Sequence, residues 1–177
     1  LELARNLAIR FNNQYSETFA VPEPYIPKVG SRIMSLQEPD KKMSKSDVNL
    51  NNIIAILDSP NIIKKKILRA VTDSSSEIII DENKPGISNL INIYSLVSDI
   101  SVQKIESQFE GKMYSEFKSN LADALIEFLK PIQDKYNEIS SDTEYINRIL
   151  DKGSELAYYR ARKTLSKVYR KVGFIKK

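Results

Sequence analysis

Two lysines bracket a methionine and a serine in the run Lys42-Met43-Ser44-Lys45-Ser46. Flexible ammonium groups three residues apart, with hydroxyls and backbone N–H groups between them, can converge on one polyanion. A triphosphate, whose oxygens move during reaction, suits such point charges. Asp47 closes the run, and Asp either caps local backbone N–H groups or faces the ligand. Arg32, upstream, either pairs with phosphate or forms a structural salt bridge. A lysine-rich loop alone reads as an ordinary solvated surface. Here the run follows a Pro-rich connection and a short apolar stretch and leads into a helical region, as a loop leaving a sheet edge would.

Composition narrows the chemistry further. The 177 residues contain neither His nor Cys. That removes the commonest general base, the commonest metal ligand and any thiolate site, so a hydrolytic triad or a bound zinc is not expected and no metal-ligating residue is assigned. The lack of Cys suits a reducing compartment, and a cytoplasmic location is the expectation. Apolar residues make up 41% and charged residues 28%, but no apolar run approaches the ~20 residues of a membrane span. The opening residues lack the charged start and short apolar run of a leader. A net charge of +4 favours an anionic partner such as nucleic acid.

The elements that must position the lysines are mostly helical. Leu3, Leu7 and Phe11, with Ala4 and Ala8 beside them, form one apolar stripe in a first helix that begins without a cap, which suggests a piece of a longer chain. Three prolines in "VPEPYIPKVG" impose an extended linker. "SRIMSL" reads as a strand or extended run, and "IIAILD" as a short helix capped by Asn51 or Asn52. Ser59-Pro60 starts the next helix. The triplet Lys64–Lys66 spreads around that helix and reads as solvated. A short strand fits Ile78–Ile80. Beyond Gly86 the period is helical: Ile87, Leu90, Ile91, Tyr94 and Val97 share one face. A second stripe runs through Tyr114, Phe117, Leu121, Leu125, Phe128, Ile132, Tyr136 and Ile139, continuing past Pro131. Asp142 caps a last helix whose inward face is Tyr158, Ala161, Leu165, Val168 and Val172. The expected fold is mainly α, a helical bundle.

The sequence resembles the class I aminoacyl-tRNA synthetases, whose second ATP motif is KMSKS, and within them the C-terminal portion of the bacterial tryptophanyl enzymes. "LELARNLAIRFN", "IPKVGSRIMSLQEPDKKMSKSD", "IIKKKILRAVTDS", "KPGISNLINIYS" and "LIEFLKPIQDKY" carry the likeness in family order over nearly the whole chain. "KPGISNLINIYS" favours tryptophan over tyrosine, the runner-up. The resemblance implies that residues 1–50 are the end of a Rossmann-type α/β catalytic domain and 51–177 a helical anticodon-binding domain. It implies ATP and tryptophan as substrates, Mg2+ carried on ATP, tRNA(Trp) as acceptor and a homodimeric parent with no membrane association, the first helix offering an interface. It also implies that Lys42 and Lys45 contact the phosphates, that Ser44 and Ser46 donate hydrogen bonds, and that the backbone at Ile33 and Met43 holds adenine. The family's first ATP motif, of HIGH type, and its tryptophan pocket have no counterpart here, so the 177 residues alone are expected to be inactive.

From Tyr158 to Lys177 the chain carries Arg160, Arg162, Lys163, Lys167, Arg170, Lys171, Lys176 and Lys177 without an acid. Each could be solvated singly, but together they suit a tRNA backbone, with Tyr158, Tyr159 or Tyr169 available to stack on bases. A non-catalytic RNA-binding helical module with a relic phosphate loop is the alternative of a different class.

Overall fold

The computed structural model describes residues 1–26 and 32–174. Lys176 and Lys177 of the basic run, and the 27–31 part of the Pro-rich connection, lie outside the described residues. The described elements are helical, as expected: α1 (Glu2–Gln14), a 3-10 turn (Leu50–Asn52), α2 (Pro60–Leu68), α3 (Pro85–Ser98), α4 (Val102–Gln108), α5 (Tyr114–Ser140) and α6 (Thr143–Val172). None of these helices is long and apolar enough to cross a membrane. The chain divides into two compact units, Pro27–Asn137 and a second made of Leu1–Ile26 with Glu138–Lys177.

The unit Pro27–Asn137 holds the main core. Pro60 and Pro85 open α2 and α3, where a missing N–H leaves no intrahelical bond unmade. The α3 face is the one its period marks: Ile87, Leu90, Ile91 and Tyr94 are buried, with Val97 packed at the margin. They meet Ile63 and Ile67 of α2, Ile105 of α4, and Phe117, Leu121 and Leu125 of α5. Tyr94, Phe109 and Phe117 form a three-ring cluster with centroids 5.1–5.8 Å apart, a geometry that adds to their area burial. Gly86 lies against the backbone that follows α2: a Cβ there would stand 2.3 Å from the Val71 carbonyl oxygen.

Several expectations fail, each for a physical reason. No strand occurs among the described residues. Met34 makes a single antiparallel bridge to Lys42, and Ile78 is buried as a core plug without strand pairing. Ile53–Asp58 is not helical; the Asn49 side chain caps the 3-10 turn instead, and the Asp58 carboxylate takes the Ala55 N–H at 2.9 Å. Lys66 is buried rather than solvated, bonded to Asp58 at 2.7 Å. Past Leu125 the buried position on α5 is Leu129, while Phe128, Ile132, Tyr136 and Ile139 are exposed. The helix itself does continue past Pro131, as expected.

In the other unit, α1 buries only Ala8, and Leu3 and Leu7 are exposed. Asn12 secures the chain after α1 by accepting from the Thr18 and Phe19 amides and donating to the Phe19 carbonyl. Asp142 caps α6 as expected, accepting from the Tyr145 amide at 2.8 Å, and Gly173 ends the helix in the left-handed conformation. No α6 residue is buried; Tyr158 and Leu165, read as inward-facing, are exposed. Lys171 is bound to the chain after α1, donating to the Glu17 carbonyl at 2.8 Å and the Thr18 hydroxyl at 2.6 Å.

Candidate functional site

The lysine loop grows out of a short fold-back of backbone. Ser35 N donates to the Lys41 carbonyl at 2.8 Å and Met43 N to the Ile33 carbonyl at 2.9 Å, which sets Met34 opposite Lys42. Lys41 N bonds the Glu38 carbonyl at 2.8 Å, and the Ser35 hydroxyl accepts from the Glu38 amide, closing the turn. Three fasteners hold this base. Asn89, buried on α3, accepts from Met34 N at 2.9 Å and donates to Met34 O at 2.8 Å. The Asn52 carbonyl accepts from Leu36 N at 3.0 Å, and Val71 N donates to Leu36 O at 2.8 Å. An amide that satisfies both backbone groups of one residue fixes its register, because a slip would strand two buried polar groups.

Lys42 and Lys45 leave this base exposed and without an acidic partner among the described residues. They line a cleft of about 650 Å³ together with Ile33, Met43 and the run Ile53–Leu57. That far wall is held from behind. Gln133 of α5 donates to the Ile56 carbonyl at 2.7 Å and the Asp58 carbonyl at 3.0 Å, and Asp58 is itself bonded to Lys66 of α2. A larger cavity of about 820 Å³, lined by Ser74–Glu77 and Met113–Ser115, offers no unpaired cation: Glu77 binds Lys84, and Tyr114 donates to Asp73 at 2.9 Å.

Of the residues singled out from the sequence, Ile33, Lys42, Met43 and Lys45 converge on the smaller cleft, and Ser44 and Ser46 do not line it. Those two hydroxyls lie 3.2 Å apart and bond each other. The Met43 N–H is spent on the Ile33 carbonyl. Asp47 follows its capping reading: one carboxylate oxygen accepts from the Asn49 amide and the other from the Asn52 side chain, both at 2.9 Å. Arg32 is exposed and joins no ion pair among the described residues. Lys41 carries the loop's ion pair, with Glu38, and the hydrogen bond it donates to that carboxylate raises its pKa.

Asn52, Asn89, Lys66 and Gln133 were not legible as site-forming. At about 100° per residue Asn89 falls off the stripe of Ile87, Leu90, Ile91 and Tyr94, so the apolar period gives no sign of it. The arrangement pairs an apolar slot, suited to a flat ring, with two un-neutralised cations suited to phosphates. No group of three or more acidic residues among the described residues could hold a metal ion.

Comparison with known proteins adds an independent finding. The model of a family described as tRNA synthetases class I (W and Y) matches residues 1–130. A tryptophan–tRNA ligase of Clostridium acetobutylicum is 54% identical over 99% of this chain and 52% of its own length. That of Bacillus subtilis is 50% identical over the whole chain and 54% of its length. Among solved structures, a tryptophanyl-tRNA synthetase from Mycoplasma pneumoniae superposes with a TM-score of 0.89 at 32% identity, covering 98% of this chain and 53% of that one. One from Campylobacter jejuni, solved with ADP and tryptophan, gives 0.66 at 28% identity over 98% and 53%. The chain thus spans about half the length of the curated relatives it matches. Tryptophan, not the tyrosine of the alternative reading, is named in each of them.

Proposed function

Because the chain belongs to the class I tRNA synthetases of the W and Y family, we propose that it is the C-terminal portion of a tryptophan–tRNA ligase. Residues 1–50 then end the catalytic domain and 51–177 form the helical anticodon-binding domain. The observation that carries this reading is the pair Lys42 and Lys45, without an acidic partner among the described residues and lining an apolar cleft. In the whole enzyme the tryptophan carboxylate attacks the α-phosphorus of ATP, pyrophosphate departs, and the acyl group passes to the terminal ribose of tRNA(Trp). The first step asks little proton transfer of the protein; it asks for positioning and for positive charge where the leaving phosphates gain negative charge.

This chain's residues divide that work. Lys42 and Lys45 meet the phosphates, and Ser44 and Ser46 reach them by giving up their mutual bond. Adenine lies against Ile33 and Met43, contacting the Ile33 N–H and the Met43 carbonyl. Mg2+ arrives on the ATP phosphates. The basic face of α6 engages tRNA, the parent is a homodimer with the exposed Leu3 and Leu7 side of α1 in its interface, and the reaction is cytoplasmic.

Replacing Lys42 and Lys45 singly by Ala in the full-length enzyme should lower tryptophan-dependent ATP–pyrophosphate exchange by about 10²–10³ each, the value of one transition-state donor. Undiminished exchange in the double variant overturns the proposal. The 177 residues by themselves should show no exchange above background.

A further inference from the structure

Three acids travel with the lysine loop, Glu38, Asp40 and Asp47, and long lysine side chains could reach a neighbouring carboxylate at little cost. Lys42 and Lys45 nevertheless have none among the described residues. The reason converges on one side chain. Asn52 is 2% exposed. Its amide nitrogen donates to Asp47 at 2.9 Å and to Glu38 at 3.2 Å, and its oxygen accepts from Asn49 at 3.2 Å. The second Asp47 oxygen takes the Asn49 backbone N–H, and the second Glu38 oxygen takes Lys41. Asp40, which is exposed, acts on Lys41 through its field.

We propose that Asn52 is a positioning residue: its amide withholds Asp47 and Glu38 from Lys42 and Lys45, keeping both ammonium groups un-neutralised for an oligophosphate. This rests on the phosphate-binding reading of the loop. The carboxyl of Asp47 is held below its ordinary value, first by the hydrogen bond from Asn52 and then by the Asn49 amide, as a firmly engaged carboxylate should be. The side chain's role is separable from that of its backbone, since the Asn52 carbonyl bond to Leu36 survives any substitution of the amide.

The test is a charge rescue, with tripolyphosphate as the probe in calorimetric titrations of the 177-residue chain. Asn52→Ala should weaken binding about tenfold, the low end of what one charge-assisted hydrogen bond contributes. Asp47→Asn alone should bind like the parent. The double variant Asn52→Ala/Asp47→Asn should recover most of the loss, because the freed side chain no longer carries charge. Asn52→Asp, near-isosteric and closely matched in packing, should weaken binding further than Ala. A double variant as weak as Asn52→Ala marks a merely structural Asn52 and overturns the proposal. Nuclear magnetic resonance of the Lys42 and Lys45 ammonium groups, recorded without phosphate, separates the two readings. A flat titration of the parent chain would sink phosphate binding. The proposal itself falls if Asn52→Ala leaves those resonances unmoved, and stands if they shift and return when Asp47→Asn is added.

Discussion

Glycine-to-alanine substitution at two helical positions should move stability in opposite directions. In an open helix interior the exchange is favourable by about 0.4–1 kcal/mol, because Ala restricts the unfolded chain and has the better propensity. Gly153, inside α6, meets that condition: an added Cβ would find nothing within 4 Å. At Gly86 the same methyl would stand 2.3 Å from the Val71 carbonyl oxygen and 3.3 Å from the Thr72 Cα. An overlap of about 1 Å with backbone cannot be relieved by a rotamer change. Nor can the backbone withdraw cheaply. Val71 N is bonded to Leu36, Lys118 grips the Ala70 carbonyl at 2.8 Å and the Thr72 hydroxyl at 3.1 Å, and α3 is tied to Met34 through Asn89. Overpacking of this kind costs about 1–3 kcal/mol, and the rigid surroundings argue for the upper end. Subtracting up to about 1 kcal/mol of propensity leaves Gly86→Ala about 2 kcal/mol destabilised. For a chain this size that is about 4–8 °C in Tm. Calorimetry gives the sign for each variant, and hydrogen exchange at α3 and α5 amides assigns the Gly86 effect to the unit that contains it. If Gly86→Ala is neutral or stabilising, the close approach of α3 to the segment after α2 is wrong.

Two further outcomes follow. Lys118 is buried without an acidic partner among the described residues, and desolvation holds its pKa below the ordinary 10.5. Between the folded value and 10.5 the unfolded state binds the proton that the folded state has shed, so stability rises with pH; the parent should therefore gain on Lys118→Met as pH climbs from neutral toward 10.5, and a pH-independent difference in urea midpoint refutes the desolvated ammonium. On α6, Arg162 is held by Tyr158, donating to its hydroxyl at 3.0 Å, while Lys163 is exposed. Reversing both charges in the full-length enzyme should weaken tRNA(Trp) binding and reduce the slope of log K against log salt by about one per lost phosphate contact; an unchanged slope removes this helix from the interface.

What the sequence discloses depends on how local the deciding interaction is. The α3 face was legible because Ile87, Leu90, Ile91 and Tyr94 repeat at helix spacing and all four are buried. Asp142 was legible because a cap is decided within three residues. Lys66 was not: from the helix alone it is one of three dispersed lysines, and only Asp58, brought back from the preceding loop, makes burial tolerable. The run Ile53–Asp58 reads as a helix from its sequence, yet the Asp58 carboxylate and Gln133 hold it as an irregular wall, so its apolar residues line the cleft. The α6 stripe shows the converse, a helical period on a helix that buries nothing among the described residues.

The candidate site divides along the same line. The two lysines announce themselves by spacing, but their availability does not, because it depends on where every nearby acid has gone. Glu38 is spent on Lys41 and Asn52, and Asp47 on Asn49 and Asn52. Five residues beyond Asp47, a neutral amide decides which charges near the cleft stay unpaired. Without that sorting, Lys42 and Lys45 would be an ordinary salt-bridged loop, worth little to stability and nothing to an incoming phosphate.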